Sequence, residues 1–315
     1  MGFGRFVLIV LAICAGGYAG LLALGRSPVY CRSSHVFSDT APCFKPAVSG
    51  HRAEVLLVGD SSLLYSIRPD AVAAAGGGSS YNLGMVGPSF SFVATDLIDR
   101  YLARNDRPKA IILYFGANEL ISDRHIIDPQ WAPAGIYLLQ WGSAGDLLRL
   151  ARARLSSLAE LPPLVLNGIF AGGPRAVDYA GEMAVAQGWL HYGATSGRTL
   201  DATCRASRLR QPPLVAADNA QAVAALRARY AAQGIPLFVY VAPTAQCDAT
   251  IEPIRAAYRG VADNVPEALP NALFADDTPF TQHVHPSDAG VAVFSQRLAD
   301  FVRETVRPRM AAAAR

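Results

Sequence analysis

Charge of either sign is scarce in this chain. Its 28 Lys and Arg against 25 Asp and Glu leave a formal net charge of +3 over 315 residues. The small excess is spread along the sequence, and no basic run carries interleaved aromatics. Nucleic acid is therefore not an expected partner. Cysteine is sparse too, at 5 residues whose spacing fits no familiar zinc site, so no structural metal and no cofactor are expected. Apolar residues, by contrast, make up 51% of the chain. Roughly 250–280 residues lie beyond the N-terminal run, enough to bury a substantial core in one large α/β domain with an insertion, or less simply in two domains.

The long hydrophobic run lies at the start. Met1–Arg5 carries one positive charge, and Phe6–Leu24 is uncharged and apolar. About 19 residues is near the lower limit for crossing a bilayer and exceeds the roughly 7–15 apolar residues of a signal peptide. Arg5 ahead of the run favours an N-terminus inside and the main domain outside. Residues 1–25 are thus expected to form a single-pass inner-membrane anchor, with the rest of the chain facing the periplasm. The alternative is a signal segment cut near the small residues Ala23 and Gly25, which would release the protein to the periplasm. Cys14 follows the bulky Ile13, a poor context for lipidation, and reads as a packed membrane residue. Cys31, Cys43, Cys204 and Cys247 form an even set outside the run. In an oxidising compartment they suit two disulfides, Cys31–Cys43 and Cys204–Cys247 being the preferred pairing. Four separate buried thiols are the alternative.

Residues 26–52 read as an irregular linker, broken by Pro28, Pro42 and Pro46. Glu54–Val58, Ala110–Phe115 and Pro236–Val241 are short apolar runs rich in β-branched or aromatic residues, and they predict buried strands. Tyr81–Leu83 and Ala272–Phe274 are weaker strand candidates, and the Gly-rich Ala71–Ser80 reads as loop. Helical spacing predicts helices over Ser91–Arg104, Ser143–Leu158, Asp218–Gln233 and Ser287–Val306, the last capped by Ser287. The stretch Pro162–Pro213 is weakly patterned and reads as part of a cap inserted over 125–215. Alternating strands and helices imply a mostly parallel sheet covered on both faces, in a domain over 53–310. Ligand sites in such sheets gather at the carboxyl ends of the strands.

Four separated pieces sit at or near such ends. Gly59-Asp60-Ser61-Ser62 follows the first strand, where glycine permits a sharp turn. Asn82-Leu83-Gly84-Met85-Val86-Gly87 offers a backbone N–H that no side chain obstructs. Gly116-Ala117-Asn118 offers a side-chain amide suited to a developing oxyanion. His283-Val284-His285-Pro286 precedes the last helix, and a histidine held there can take a hydroxyl proton and return it to a leaving group. Each piece alone has a plainer reading: a turn, a loop, a helix cap, a surface or core histidine.

Together, in this order from Val55 to Arg303, the four blocks resemble the SGNH hydrolases, or GDSL-type esterases, with the middle of the chain unmatched. The resemblance implies a three-layer α/β/α sandwich of flavodoxin type and a serine esterase or O-acyltransferase. It makes Ser61 the nucleophile and His285 its base, with Gly290 five residues on. It makes the Ser61 backbone N–H, Gly87 and Asn118 the oxyanion hole. One departure stands out. The family usually has Asp three residues before the histidine, and this chain has Gln282. Asp276 or Asp277 would then orient His285. The alternatives are a Ser–His dyad fixed by Gln282 or a backbone carbonyl, or exchanged roles for His283 and His285.

With its N-terminal segment and mid-chain insertion, the layout also resembles membrane-anchored polysaccharide O-acetylation proteins. That resemblance implies a surface polysaccharide as substrate and a membrane-bound O-acyltransferase as partner. Trp131, Trp141 and Trp189 are candidates for stacking on sugar rings or, equally, for the core of the insertion. A lipase- or thioesterase-like hydrolase, and a catalytically weak binding or assembly protein, are the other functional readings.

Overall fold

Strands form where successive residues are apolar, and helices where apolar residues recur every three or four positions; both patterns appear in the computed structural model, which describes residues 3–86, 90–117, 120, 131–143, 145–146, 148, 155–191, 217–246, 251–274 and 285–313. In chain order the elements begin with α1 (Phe3–Arg26), α2 (Pro28–Ser33), α3 (Thr40–Phe44), β1 (Val55–Gly59), α4 (Ser61–Ser66) and α5 (Pro69–Ala74). Then come β2 (Ser80–Asn82), α6 (Phe90–Leu102), β3 (Ala110–Phe115), α7 (Trp131–Trp141), α8 (Leu155–Phe170) and α9 (Ala176–Val185). The rest are α10 (Ala217–Ala231), β4 (Leu237–Val241), β5 (Thr244–Ala245), α11 (Ile251–Ala257), β6 (Ala268–Leu269), α12 (Asp288–Phe301) and α13 (Arg307–Ala313). The chain divides into two compact units, one made of residues 1–46 and 126–181, the other of 47–125 and 182–315.

The first unit is helical. α1 is long and apolar enough to cross a membrane. Every position from Leu8 to Gly17 is exposed, and one side of the helix becomes partly buried from Tyr18 to the buried Gly25. Gly25 is small for a reason: a Cβ there would lie 2.7 Å from Val165 Cγ2 of α8. Gln140 of α7 donates its side-chain amide to the carbonyls of Gly25 and Ser27. Tyr30, Ile136, Leu139, Leu161 and Val165 form the core, with Leu22 and Leu24 packed against it. Cys31 and Cys43 are joined in a disulfide with Cα atoms 5.6 Å apart, while Cys204 and Cys247 lie outside the described residues. The buried Asp39 accepts hydrogen bonds from Tyr30 Oη and Ser34 Oγ, each 2.6 Å long. Burial pushes its carboxyl above the usual range, and the two hydrogen bonds oppose that.

Three expectations change here. The linker read over 26–52 is largely helical, with 3₁₀ turns at Phe37–Asp39 and Lys45–Ala47 beside α2 and α3. Pro28 starts α2 rather than breaking it, because the first helical turn has no intrahelical use for the missing N–H. The weakly patterned stretch after Pro162 begins inside α8, which holds both Pro162 and Pro163. Of the helix expected over 143–158, the part from Leu155 belongs to α8 and much of the remainder lies outside the described residues.

The second unit is α/β. Its main sheet has four parallel strands in the order β2-β1-β3-β4. Every residue of β1, β3 and β4 is buried, the pattern of parallel strands covered on both faces. On one face Val55, Leu57, Ile112, Tyr114, Phe238 and Tyr240 share a core with Phe294, Leu298 and Phe301 of α12. α6 packs against β1 and α10 against β4. Tyr230 Oη of α10 donates to Asp99 Oδ1 of α6, 3.0 Å away. The order reverses between β1 and β3, which places a crevice at their carboxyl ends. Residues 272–274, read as a last strand, instead form the 3₁₀ turn Asn271–Leu273, and Phe274 makes one antiparallel bridge to Pro286. The Gly-rich stretch 71–80 is loop only after α5 ends at Ala74. Of the insertion read over 125–215, residues 182–191 belong to this unit and 192–216 lie outside the described residues.

Candidate active site

The crevice between β1 and β3 is built by close backbone approach. A Cβ on Gly59 would fall 1.8 Å from the Tyr114 carbonyl oxygen, so only glycine fits at the end of β1. The next residue, Asp60, is extended and caps α4, its Oδ1 accepting from Ser62 N at 2.8 Å and from the Ser62 hydroxyl. Its Oδ2 accepts from Gly116 N, 3.0 Å away at the end of β3. One buried carboxylate thus ties the turn after β1 to the turn after β3. Burial raises the pKa of Asp60; the hydrogen bonds from Ser62 and Gly116 and the nearby His285 act the other way.

Ser61 is the first residue of α4 and only partly buried. Its Oγ lies 3.0 Å from Nε2 of His285, across 224 residues of sequence. The imidazole is 4% exposed. Tyr65, one turn along α4 from Ser61, presents its ring edge-on to His285 at 5.4 Å between centroids. The backbone around His285 is fixed on its C-terminal side. Pro286 bridges to Phe274, and Ser287 N donates to Leu273 O at 2.9 Å. Ser287 Oγ caps α12 by accepting from Gly290 N at 3.2 Å, as the sequence predicts. A Cβ on Gly290 would lie 2.0 Å from Leu273 O, which accounts for the glycine five residues past the histidine.

The two loops read as oxyanion donors are described up to their key residues. Asn82 closes β2, donating its side-chain amide to Leu63 O and Ile67 O at 2.9 Å and accepting from Gly84 N at 2.8 Å. Gly84 itself presses on α4: a Cβ would lie 2.5 Å from Leu64 N. Met85 N donates to Gly59 O at 3.0 Å, which holds this loop beside the Ser61 turn. Gly87 lies outside the described residues. On the other side, Tyr258 Oη donates to Ala117 O at 2.7 Å, and Asn219 donates to Leu120 O at 3.0 Å. These ties flank Asn118, which also lies outside the described residues, as do Asp276, Asp277, Gln282 and His283.

The structure brings together Ser61 and His285 from the sequence reading and adds Asp60, Tyr65, Asn82 and Tyr258 around them. Asp60 had a signal in the sequence: an Asp before two serines, straight after a buried strand, is a strong helix cap. The tyrosines had none. His191 pairs through Nε2 with Asp288 Oδ1 at 3.0 Å, three residues past His285. Trp189 donates its indole N–H to Tyr65 O at 2.9 Å, and Arg68 lies over its ring. Trp141 donates its indole N–H to Pro42 O. Among the described residues no group of three or more His, Cys, Asp or Glu side chains is arranged to hold a metal ion.

Comparison with known proteins finds no matching family model, no matching curated protein and no matching solved structure. What the site can do is therefore argued from its own geometry. A serine hydroxyl within hydrogen-bond reach of an imidazole nitrogen, at the switch point of a parallel sheet, is an arrangement for nucleophilic attack.

Proposed function

We propose that this chain is a serine-dependent acyl-ester enzyme of the SGNH type, held at a membrane by α1. The single observation that carries the proposal is the 3.0 Å contact between His285 Nε2 and Ser61 Oγ. In the proposed reaction His285 takes the Ser61 proton as Oγ attacks an ester carbonyl. The tetrahedral intermediate collapses, the acyl–oxygen bond breaks, and the departing alkoxide takes the proton from the imidazolium. Water or a sugar hydroxyl then gives its proton to His285 and attacks the acyl-Ser61. Ser61 leaves and regains its proton. The Ser61 N–H, Gly87 and Asn118 are the proposed oxyanion donors, and Asp277 or Asp276 the proposed acid orienting His285. The strand order supports the SGNH reading, because 2-1-3-4 is the start of the flavodoxin-type order.

The proposed substrate is an O-acetylated or acetyl-accepting polysaccharide outside the cytoplasmic membrane, and the proposed partner is a membrane-bound O-acyltransferase. The apolar α1 supports that location. A fluorophosphonate probe tests the chemistry on the full-length protein. Wild type should be labelled, Ser61→Ala should abolish labelling, and His285→Ala should slow it at least about a hundredfold. A folded wild-type protein that resists the probe overturns the proposal. Release of acetate from an acetylated glycan, against hydrolysis of a long-chain ester, then separates a polysaccharide substrate from a lipid one.

A further inference from the structure

We propose that the helical unit sits partly within the outer leaflet of the bilayer, as a collar around the end of α1 with α8 facing lipid. The proposal rests on α1 being a retained membrane anchor, and the geometry of α1 is where it starts. Arg5 sets the inner limit of the apolar part. From Phe6 to Gly17 the helix is almost wholly exposed, with Phe6 58%, Leu8 67% and Ile13 69% accessible. Those residues rise only roughly 18 Å, against a hydrocarbon core of roughly 30 Å. The missing stretch, on the order of 12 Å, has to come from Tyr18 onward. That is the part of α1 held by α7 and α8: Leu22 and Leu24 pack on their shared core, and Gly25 is buried against Val165 and Leu139. Whatever grips these last turns lies at the depth of the outer apolar layer.

The gripping helices have the chemistry for that depth. α7 carries no charged residue, and α8 carries one, the half-buried Glu160. Along α8 the exposed positions Ala159, Pro163, Leu166 and Phe170 recur at helical spacing and form an apolar stripe, with the exposed Asn167 at its edge. Leu166 is 39% and Phe170 78% accessible, a poor arrangement against water. Arg26, at the last turn of α1, donates to Gly142 O at 3.0 Å while remaining exposed, which suits a side chain reaching for the headgroups. The same packing weighs against cleavage near Ala23, since a cut there removes Leu22 from the core and frees one end of the segment that Gln140 holds.

The test places a photoreactive p-benzoylphenylalanine at Leu8, Leu166 or Phe170 of the full-length chain, in vesicles of phosphatidylethanolamine and phosphatidylglycerol. Lipid adducts are counted by mass spectrometry against unirradiated samples. All three positions should give adducts at least about tenfold above background, Leu8 because α1 is in the bilayer. Adducts at Leu8 with background levels at both Leu166 and Phe170 overturn the collar and leave the anchor standing. Background at Leu8 as well overturns the anchor reading, and the collar with it. Crosslinks from Leu166 or Phe170 to a second copy of the chain in place of lipid replace the lipid contact by a protein one and overturn the proposal.

Discussion

Asp60 offers the sharpest test of how the site is held. Asp60→Ala removes the cap of α4, which costs about 1 kcal/mol. It also leaves Gly116 N–H, buried and previously 3.0 Å from Oδ2, with no acceptor; an orphaned buried donor costs about 1–3 kcal/mol. Against this, alanine has no carboxylate to desolvate, and burial is the leading influence on Asp60 in the folded protein. The net loss should be about 2–3 kcal/mol. Asp60→Asn keeps the size and splits the two roles. With its carbonyl toward Ser62 it turns an NH2 group on Gly116 N–H, donor against donor. With the opposite orientation it loses the Ser62 N–H. Either way one backbone donor is stranded, so the loss should be about 1–2 kcal/mol. Urea unfolding of the full-length protein in detergent reads the stability of the α/β unit, and the fluorophosphonate labelling rate reads the site. Labelling of the Asn variant should fall tenfold or more, because the turn carrying Ser61 is no longer pinned to Gly116 at the end of β3. If Asp60→Ala shifts stability by less than about 0.5 kcal/mol and labels at the wild-type rate, the cross-strand tie carries neither load and the reasoning fails.

Three further outcomes follow from the same contacts. Asp60 has a folded pKa above its unfolded value of about 3.9, so the folded state binds more protons between the two values, and the stability of wild type relative to Asp60→Ala should rise as pH falls through that window and stay flat above it. Unfolding measured from pH 4 to 8 checks this, and a difference independent of pH refutes it. Asn82→Asp sets a carboxylate oxygen against the carbonyls of Leu63 and Ile67, which should cost about 3–5 kcal/mol and leave little folded protein extractable in mild detergent, with Asn82→Ala milder. The disulfide joins residues 12 apart, and replacing it with Cys31→Ser and Cys43→Ser should cost the helical unit about 3 kcal/mol, seen as faster proteolysis within residues 1–46 and 126–181.

The parts of the fold legible in the sequence are those written in unbroken local pattern. Val55–Gly59, Ala110–Phe115 and Leu237–Val241 are each apolar throughout, and a buried parallel strand demands little else. Ser287 was legible as a cap because its role is local. Ser61 and His285 were legible as motif, although nothing in their spacing says that 224 residues bring them to 3.0 Å. Proline misled in the helical unit. Pro28 sits where a helix tolerates it, and Pro162 and Pro163 are carried within α8 by Leu161 and Val165, whose packing outweighs local propensity. The ties from Tyr258 and Asn219 to the backbone beside Asn118 were not legible at all, since a side chain reaching a distant carbonyl leaves no pattern in sequence.

The chain passes through its helical unit twice, at residues 1–46 and again at 126–181. During synthesis β1, β2 and β3 emerge before the second passage, and β4 after it. Closing the β3–β4 ladder draws a long excursion shut, with an entropic cost of about 4 kcal/mol that grows only slowly with length. Ser61 is therefore made early, on a turn that cannot yet be armed, and His285 arrives near the end of the chain. In the proposed mechanism, Ser61 gains its base only when His285 has joined it in the closed α/β unit. In a cell, reactivity at Ser61 would then mark finished molecules and spare the half-made chain from attacking esters at random.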